Sequence, residues 1–407
     1  MNQSNKLRQS VWDSLSESTP NNLKAFKTIS LETFSLDKVI IEKKESIESF
    51  SLFNEEHIIK ARKIWELFYE LADNFDKPEV ESVEDAIREY QKLRASENPE
   101  LLDYAFMVFI THNERARRVL NGSIPSILKR EPQKITPSSG NYFKIENSKK
   151  EEFSYYGGTT SVEENKLSWF REDPLFNEHH EHWHVVYPNG GVNNKAKDRA
   201  GELFMYMHQQ MIARYDSERI AEQLDKVEPY NDFTKPIPLG YNTGEFMKLL
   251  GDIRFSDRAD NWVVQSLPYI NVNEQMSFQK NLLLAIDKGY IEVNNKRLKL
   301  DINLLGMIVE STGGNVEKFK ETKLLYGNVH NMGHMLICNA GENLPYGVMS
   351  STATSIRDSI FWRWHKSIDD YSFNLQENQK QNDFSDAPNI LIRKGFETSL
   401  IFEKMKE

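Results

Sequence analysis

A single cysteine, Cys338, in 407 residues excludes a disulfide within the chain and fits a reducing compartment. No stretch approaches the roughly 18 consecutive apolar residues of a membrane-spanning helix. The opening residues, MNQSNKLRQSVWDSLSES, contain no apolar core of the kind a secretory signal needs, so a cytoplasmic protein is expected. Basic residues are in the minority, 51 Lys and Arg against 61 Asp and Glu. The net charge of −10 removes the electrostatic case for nucleic acid or an anionic membrane as partner. Low-complexity tracts are absent too. What is present is an ordinary globular composition, 39% hydrophobic and 28% charged, in a chain long enough for two domains and a sizeable core.

Histidine carries the strongest signal. Of ten histidines, six fall into two clusters of the same form. His180 and His184, in NEHHEHWHVVYP, are followed 24 residues later by His208 in FMYMHQQ. His330 and His334, in YGNVHNMGH, are followed 31 residues later by His365 in FWRWHKSIDD. Residues four apart on a helix share a face, with Cβ atoms roughly 5–6 Å apart, so both rings can aim at one ion. A third imidazole from a neighbouring helix completes a set of three and leaves a position for a ligand. Two such clusters point to two metal ions, each held by three imidazoles. Imidazole suits Zn, Cu, Fe and Ni, so ligand softness does not choose among them. The lack of ligating carboxylates argues against a di-iron carboxylate plan.

The pass along the chain reads mainly helical. EEHIIKARKIWELFYELADN has apolar residues at helical spacing. ESVEDAIREYQKLRA and PELLDYAFMVFITHNERARRV predict two further helices. GSIPSILKREPQKITPSSGNYF, with three prolines among small polar residues, reads as a linker, with a boundary near Ser138–Asn147. Residues 1–46 form a polar leader with strand-like pieces near Val39–Ile41. EEFSYYGGTTSVEENKLSWFREDP reads as loop. A helix is expected over His179–Val186, a long amphipathic one around His208, and one good helix between 228 and 300, at MSFQKNLLLAIDKGY. The expected architecture is an N-terminal helical domain, 1–145, then an antiparallel four-helix bundle holding a dinuclear metal centre, 146–385, and a tail, 386–407.

Several residues admit more than one reading. His180-Glu181-His182-Trp183-His184 matches the zinc-hydrolase pattern H-E-x-x-H, with Glu181 as general base and Glu202 as third ligand. That reading leaves the second cluster without a role. His179 and His182 lie on other faces of the same helix and read as supporting or partly exposed. Asn331 follows His330 and is a candidate to orient water at the second metal. Cys338, four residues after His334, reads as a small buried apolar residue. Phe361, Trp362 and Trp364 read as core packing around His365.

The segments REDPLFNEHHEHWHVVYP, KDRAGELFMYMHQQMIARYDSERI, LLYGNVHNMGHMLI and GVMSSTATSIRDSIFWRWHKSIDD resemble the copper regions of arthropod hemocyanins and prophenoloxidases. FSLFNEEHIIKARKIWELF, ENPELLDYAFMVFITHN and IPSILKREPQKITPS resemble that superfamily's N-terminal helical domain, and LLGMIVES fits as well. The resemblance runs over roughly residues 47–385, and HNMGH is similar to the phenoloxidase branch. It implies a type 3 centre of two copper ions, one on His180, His184 and His208 and the other on His330, His334 and His365. Dioxygen is then the co-substrate. Hemocyanins carry it. Phenoloxidases, like tyrosinases, use it to hydroxylate phenols and oxidise catechols, so an oxidase or monooxygenase acting on a small phenolic or related aromatic is expected. The phenol would approach the second copper, with Asn331 assisting its deprotonation. Phe50 or Phe53 is the candidate gate over the pocket. Glu181 stands where the family usually has an aromatic, and Glu310 is a weak candidate for a supporting acid. The family's C-terminal β-sandwich has no counterpart in the segments quoted, so a short form is expected.

Overall fold

The computed structural model describes residues 50–120, 157–189, 191–192, 196–243, 255–293, 296–310, 322–342 and 344–380. The polar leader, the proline-containing linker with its domain boundary, and the C-terminal tail lie outside the described residues.

Helix α1, Glu55–Ala72, starts where the Asn54 side chain accepts hydrogen bonds from the Glu56 and His57 amides. Its buried residues, Ile58, Ala61, Trp65, Phe68 and Ala72, recur every three or four positions. α2, Glu79–Leu93, buries Val83, Ala86, Ile87 and Tyr90 in the same way. α3, Pro99–His112, opens on an Asn98 cap with proline in its first turn and buries every residue from Tyr104 to Ile110. The first helix joins this layer: α1 packs on both α2 and α3.

The third predicted helix is in fact two. Asn113 ends α3 in an extended conformation and its side chain accepts from the Ala116 amide, 2.9 Å away, so α4, Glu114–Leu120, begins afresh. One side chain thus separates two helices that periodicity runs together.

The stretch expected to be loop contains two short helices, α5, Val162–Asn165, and α6, Ser168–Arg171. The Ser161 side chain caps α5. Buried Arg171 donates to Glu164 Oε1 at 3.0 Å, and Arg219 reaches Glu164 Oε2 at 2.7 Å, fastening both to the next long helix but one. α7, Pro174–Val186, begins five residues before the expected start, because Asp173 accepts from the Phe176 amide at 2.7 Å and Pro174 suits the first turn. α8, Ala200–Ala221, carries His208.

α9, Val272–Lys288, ends at Gly289, whose φ of +72° is the left-handed cap that glycine adopts without strain. A hairpin follows, Tyr290–Val293 (β1) against Lys296–Lys299 (β2), antiparallel with Tyr290 opposite Lys299. Then come α10, Ile302–Val309, α11, Val329–Cys338, two 3-10 turns at Val348–Ser350 and Ser355–Arg357, and α12, Ser359–Glu377. Asp358 caps α12 and is held by a buried two-point ion pair from Arg258.

Among the described residues the fold is mainly helical, and no helix is long and apolar enough to cross a membrane. The buried apolar side chains form one continuous cluster from Leu52 to Leu375. Two close approaches set the inner geometry. α8 and α10 meet at Gly201 and Gly306, where a Cβ on Gly306 would lie 2.0 Å from the Gly201 carbonyl oxygen. Between α11 and α12, a Cβ on Gly333 would lie 2.3 Å from the Trp364 ring.

Candidate metal centre

Four helices bring the six histidines of the two clusters together. α7 supplies His180 and His184, α8 His208, α11 His330 and His334, and α12 His365. All six are at most 1% exposed. The ring centres of His180 and His184 are 4.8 Å apart, those of His330 and His334 4.7 Å, and His208 stacks on His365 at 4.4 Å.

Five of the six rings have an oxygen hydrogen-bonded at Nδ1, and the sixth, His184, faces a carboxylate oxygen there. His180 faces the Thr352 carbonyl at 2.8 Å, His208 the Phe204 carbonyl at 3.0 Å, His334 the Met349 carbonyl at 2.8 Å, and His365 the Phe361 carbonyl at 2.8 Å. His330 Nδ1 lies 2.9 Å from Asn331 Oδ1, and His184 Nδ1 lies 3.4 Å from Glu310 Oε1. An acceptor at Nδ1 places the proton there and leaves Nε2 with its lone pair free, the tautomer a metal ligand needs.

The six Nε2 atoms have little else to bond. Those of His180, His184, His208 and His334 are buried and find no hydrogen-bond partner among the described residues. Those of His330 and His365 lie 3.1 Å apart. With both protons committed at Nδ1, that contact sets two lone pairs against each other, which a cation between or beside them relieves. Two groups have all ligand atoms within 4.8 Å of one another: His180, His184 and His208, and His208, His330 and His365. His334 completes the cluster from beside His330 and His365, with ring centres 4.7 and 5.2 Å away. Burial above all, and then neighbouring imidazoles, pushes His180, His208, His330 and His365 well below the usual histidine range; burial dominates at His334 as well. The donor set therefore fits a metal ion.

The remaining candidates take distinct positions. Phe53 is 3% exposed and stacks on His334, ring centres 3.8 Å apart and planes 15° from parallel, with its edge toward His184 and His330. Phe50 instead meets His57 and Tyr104, at 5.9 and 5.8 Å. Asn331 is buried on the Nδ1 side of His330, across the ring from the Nε2 that faces the cluster. Glu310, buried by α10, has its carboxyl pushed upward by desolvation while His184 opposes that rise. Glu202 forms a two-point ion pair with Arg199, at 2.7 and 2.6 Å, in the first turn of α8, before the turn that carries His208. His179 is exposed beside Phe176, and His182 faces Glu178 at 3.6 Å. Cys338 is buried and donates to the Met335 carbonyl. Phe361, Trp362 and Trp364 are fully buried, and Phe361 stacks on His365 at 3.8 Å.

The acceptors at Nδ1 are what residue-type reasoning missed. Thr352 and Met349 belong to the irregular segment around the 3-10 turns and act through backbone carbonyls, which leave no mark in sequence. Phe204 and Phe361 also act through backbone carbonyls, each four residues before its histidine in the same helix, a position that any residue type could fill.

Comparison with known proteins agrees with this geometry. Residues 99–372 match the family model described as hemocyanin, copper containing domain. The Hemocyanin AA6 chain of Androctonus australis is 33% identical over 357 residues, covering 81% of this chain and 53% of that one. Phenoloxidase 3 of Drosophila erecta is 32% identical over 363 residues, covering 82% of this chain and 50% of that one. The structure of activated-state scorpion hemocyanin superposes with a TM-score of 0.68 at 28% identity, covering 94% of this chain and 60% of that one. The chain thus spans about half the length of the curated relatives it matches. With the copper-domain match extending over most of the chain and a buried all-histidine donor set at its centre, this protein belongs to the hemocyanin and phenoloxidase superfamily of type 3 copper proteins.

Proposed function

We propose that the centre holds two copper ions, one on His180, His184 and His208 and one on His330, His334 and His365, and that the protein is an enzyme using dioxygen to oxidise catechols or hydroxylate phenols. The observation carrying this reading is the shared arrangement of the six rings, Nδ1 hydrogen-bonded to an oxygen in five and facing the Glu310 carboxyl in His184, with Nε2 turned inward. When bound, copper supplies redox capacity and Lewis acidity for dioxygen chemistry. The chain's own residues do the rest. The carbonyls of Thr352, Met349, Phe204 and Phe361 fix ring orientation. Asn331 does the same for His330 and so acts as a positioning residue in this reading. Phe53 keeps water from the His334 face and occupies the space over which a planar phenol would stack.

The zinc-hydrolase reading is not favoured, since Glu202 is committed to Arg199 and His208 stands with His180 and His184. An oxygen carrier without turnover is the second reading. It is favoured by the same Phe53 contact, which closes one face of the cluster, and by the hemocyanin relative.

Metal analysis of protein expressed with copper and zinc both available, followed by oxygen consumption with catechol and with a monophenol, separates these readings. Two coppers per chain with quinone formation is expected. Two coppers with reversible oxygen uptake and no quinone would establish the carrier. One zinc without copper would overturn both.

A further inference from the structure

A file of aromatic rings runs from the histidine cluster to the surface. Phe361 stacks on His365 with ring centres 3.8 Å apart, and fully buried Trp362 lies 5.3 Å from Phe361. Trp362 stacks in turn on Tyr215 of α8, at 4.2 Å and 22° from parallel. Phe170 of α6 is 5.7 Å from each of them and 5.7 Å from Trp169. Trp169 is 43% exposed, so the file reaches solvent. Packing asks for bulk at such positions. It does not ask for tryptophan and tyrosine in direct stacking, the two aromatic side chains that lose an electron most readily.

The surroundings of the Tyr215 hydroxyl go beyond packing. It donates to Glu164 Oε1. Arg171 donates to the same hydroxyl and to Glu164 Oε1, both at 3.0 Å, and Arg219 holds Glu164 Oε2 at 2.7 Å. Burial pushes the Tyr215 phenol up to about 12, so it keeps its proton in the resting protein. Burial also acts upward on Glu164, but Arg171, the Tyr215 hydroxyl and Arg219 outweigh it and hold that carboxyl below its usual range. An ionised carboxylate is therefore in place to take the phenolic proton. The two guanidiniums oppose positive charge on the ring, so Tyr215 gives up an electron only as that proton leaves. The neighbouring file, Trp364 to Phe233 to Tyr230 with 5.2 Å at each step, ends differently. There Tyr230 donates to the Lys235 backbone carbonyl, which is no base.

We propose that Trp362, Tyr215 and Trp169 form a one-electron relay that drains oxidising equivalents from the histidine cluster when no phenol is bound, with Glu164 as the proton acceptor of Tyr215. The relay rests on the oxidase reading above, which supplies the oxidant. Trp362 passes one electron inward by way of the Phe361 and His365 rings and is itself oxidised. Tyr215 then reduces Trp362 and gives its proton to Glu164, which leaves a neutral tyrosyl radical. A catechol or thiol in solution donates one electron through Trp169 and Phe170 and releases one proton to solvent. Tyr215 recovers its own proton from Glu164. No atom is exchanged with the cluster, so the ligating rings are spared oxidation.

Pulse radiolysis of the full chain, with and without copper, tests the transfer itself. Azidyl radical oxidises tryptophan, and a tyrosyl radical should then grow at a rate independent of protein concentration. That phase should be lost in Tyr215→Phe, which keeps the stack, and in Trp169→Phe, which alters a half-exposed side chain. The same phase in both variants would overturn the relay. Copper-loaded chain treated with hydrogen peroxide and freeze-quenched for electron paramagnetic resonance should show a tyrosyl signal. Tyr215→Phe should lack it and show more oxidation on the peptides of the six histidines; in Trp169→Phe the signal should outlive the wild-type one when catechol is added. A merely structural role would lower the Tm of these variants and leave the radical signals in place, which would refute the proposal. Metal analysis of the same samples keeps the two readings apart. Two coppers per chain without a Tyr215 radical count against the relay alone. Absence of copper counts against the oxidase reading, and the metal-free radiolysis then decides the transfer.

Discussion

Replacing Phe53 with alanine should open the copper centre. The ring is 3% exposed and stacks on His334, and its segment is pinned by the Ser51 hydroxyl donating to the Ser350 carbonyl at 2.7 Å. Uncovering the site requires exposing a buried phenylalanine, which costs about 1.5–3 kcal/mol. It also requires breaking aromatic stacking worth about 0.5–1.5 kcal/mol. The sum, about 2–4.5 kcal/mol, makes an open form roughly 30- to 2,000-fold rarer than the closed one. A substrate that binds only the open form sees its affinity reduced by that fraction. Phe53→Ala removes the ring but keeps the Ser51 tether, so kcat/KM for catechol should rise by at least about tenfold, mainly through KM. The assay is initial-rate quinone formation by copper-loaded wild type and variant at equal copper content, with helicity checked by circular dichroism. An unchanged or lower kcat/KM at full copper occupancy would refute the reasoning that this ring governs access.

His334→Ala should reduce copper from two ions per chain to one and abolish turnover, while far-UV circular dichroism stays helical; two coppers in the variant would sink the ligand assignment. Gly333→Ala should destabilise, although alanine is the better helix former by about 1 kcal/mol. The new Cβ would sit 2.3 Å from the Trp364 ring, which is fully buried and cannot yield, so overpacking of about 1–3 kcal/mol should win and appear as a lower Tm. In metal-free protein, stability should fall on acidification. His180, His208, His330, His334 and His365 all have folded pKa values below the ordinary 6.5, so the unfolded chain binds more protons below that pH. Their contribution is therefore intact above 6.5 and lost as pH drops through it, by up to roughly 1.4 kcal/mol per pH unit for each histidine. A Tm of the chelated protein that stays flat from pH 7.5 to about 5.5 would contradict this.

The parts of the centre legible in the sequence are those whose chemistry demands a particular side chain. Only a few residue types ligate copper, and the helical period forces two of them to recur four apart, so His180 with His184 and His330 with His334 stood out. Phe53 was legible only as one of a pair with Phe50, since spacing alone does not say which aromatic of a short extended segment turns inward. The hairpin at Tyr290–Lys299 escaped notice because four-residue strands offer too few positions for alternation to show, although the paired asparagines between them are a turn signal. Asn113 was hidden for a different reason: the helical spacing of apolar residues continues past it through Ala116, Val119 and Leu120, and only its side-chain bond to Ala116 reveals a cap.

What remained illegible has a common physical character. A ring needs an oxygen at Nδ1, but any backbone supplies one. Four of the six acceptors here are carbonyls, so the residues that provide them are under no compositional constraint. Thr352 and Met349 serve because the chain between α11 and α12 passes close to His180 and His334, and that path depends on caps and packing far from the metal. One of these is the Arg258–Asp358 pair, which anchors the start of the helix carrying His365. The ligands can therefore be read one residue at a time, while their orientation is a property of the tertiary path. A substitution at Arg258 should accordingly disturb the centre without touching any ligand.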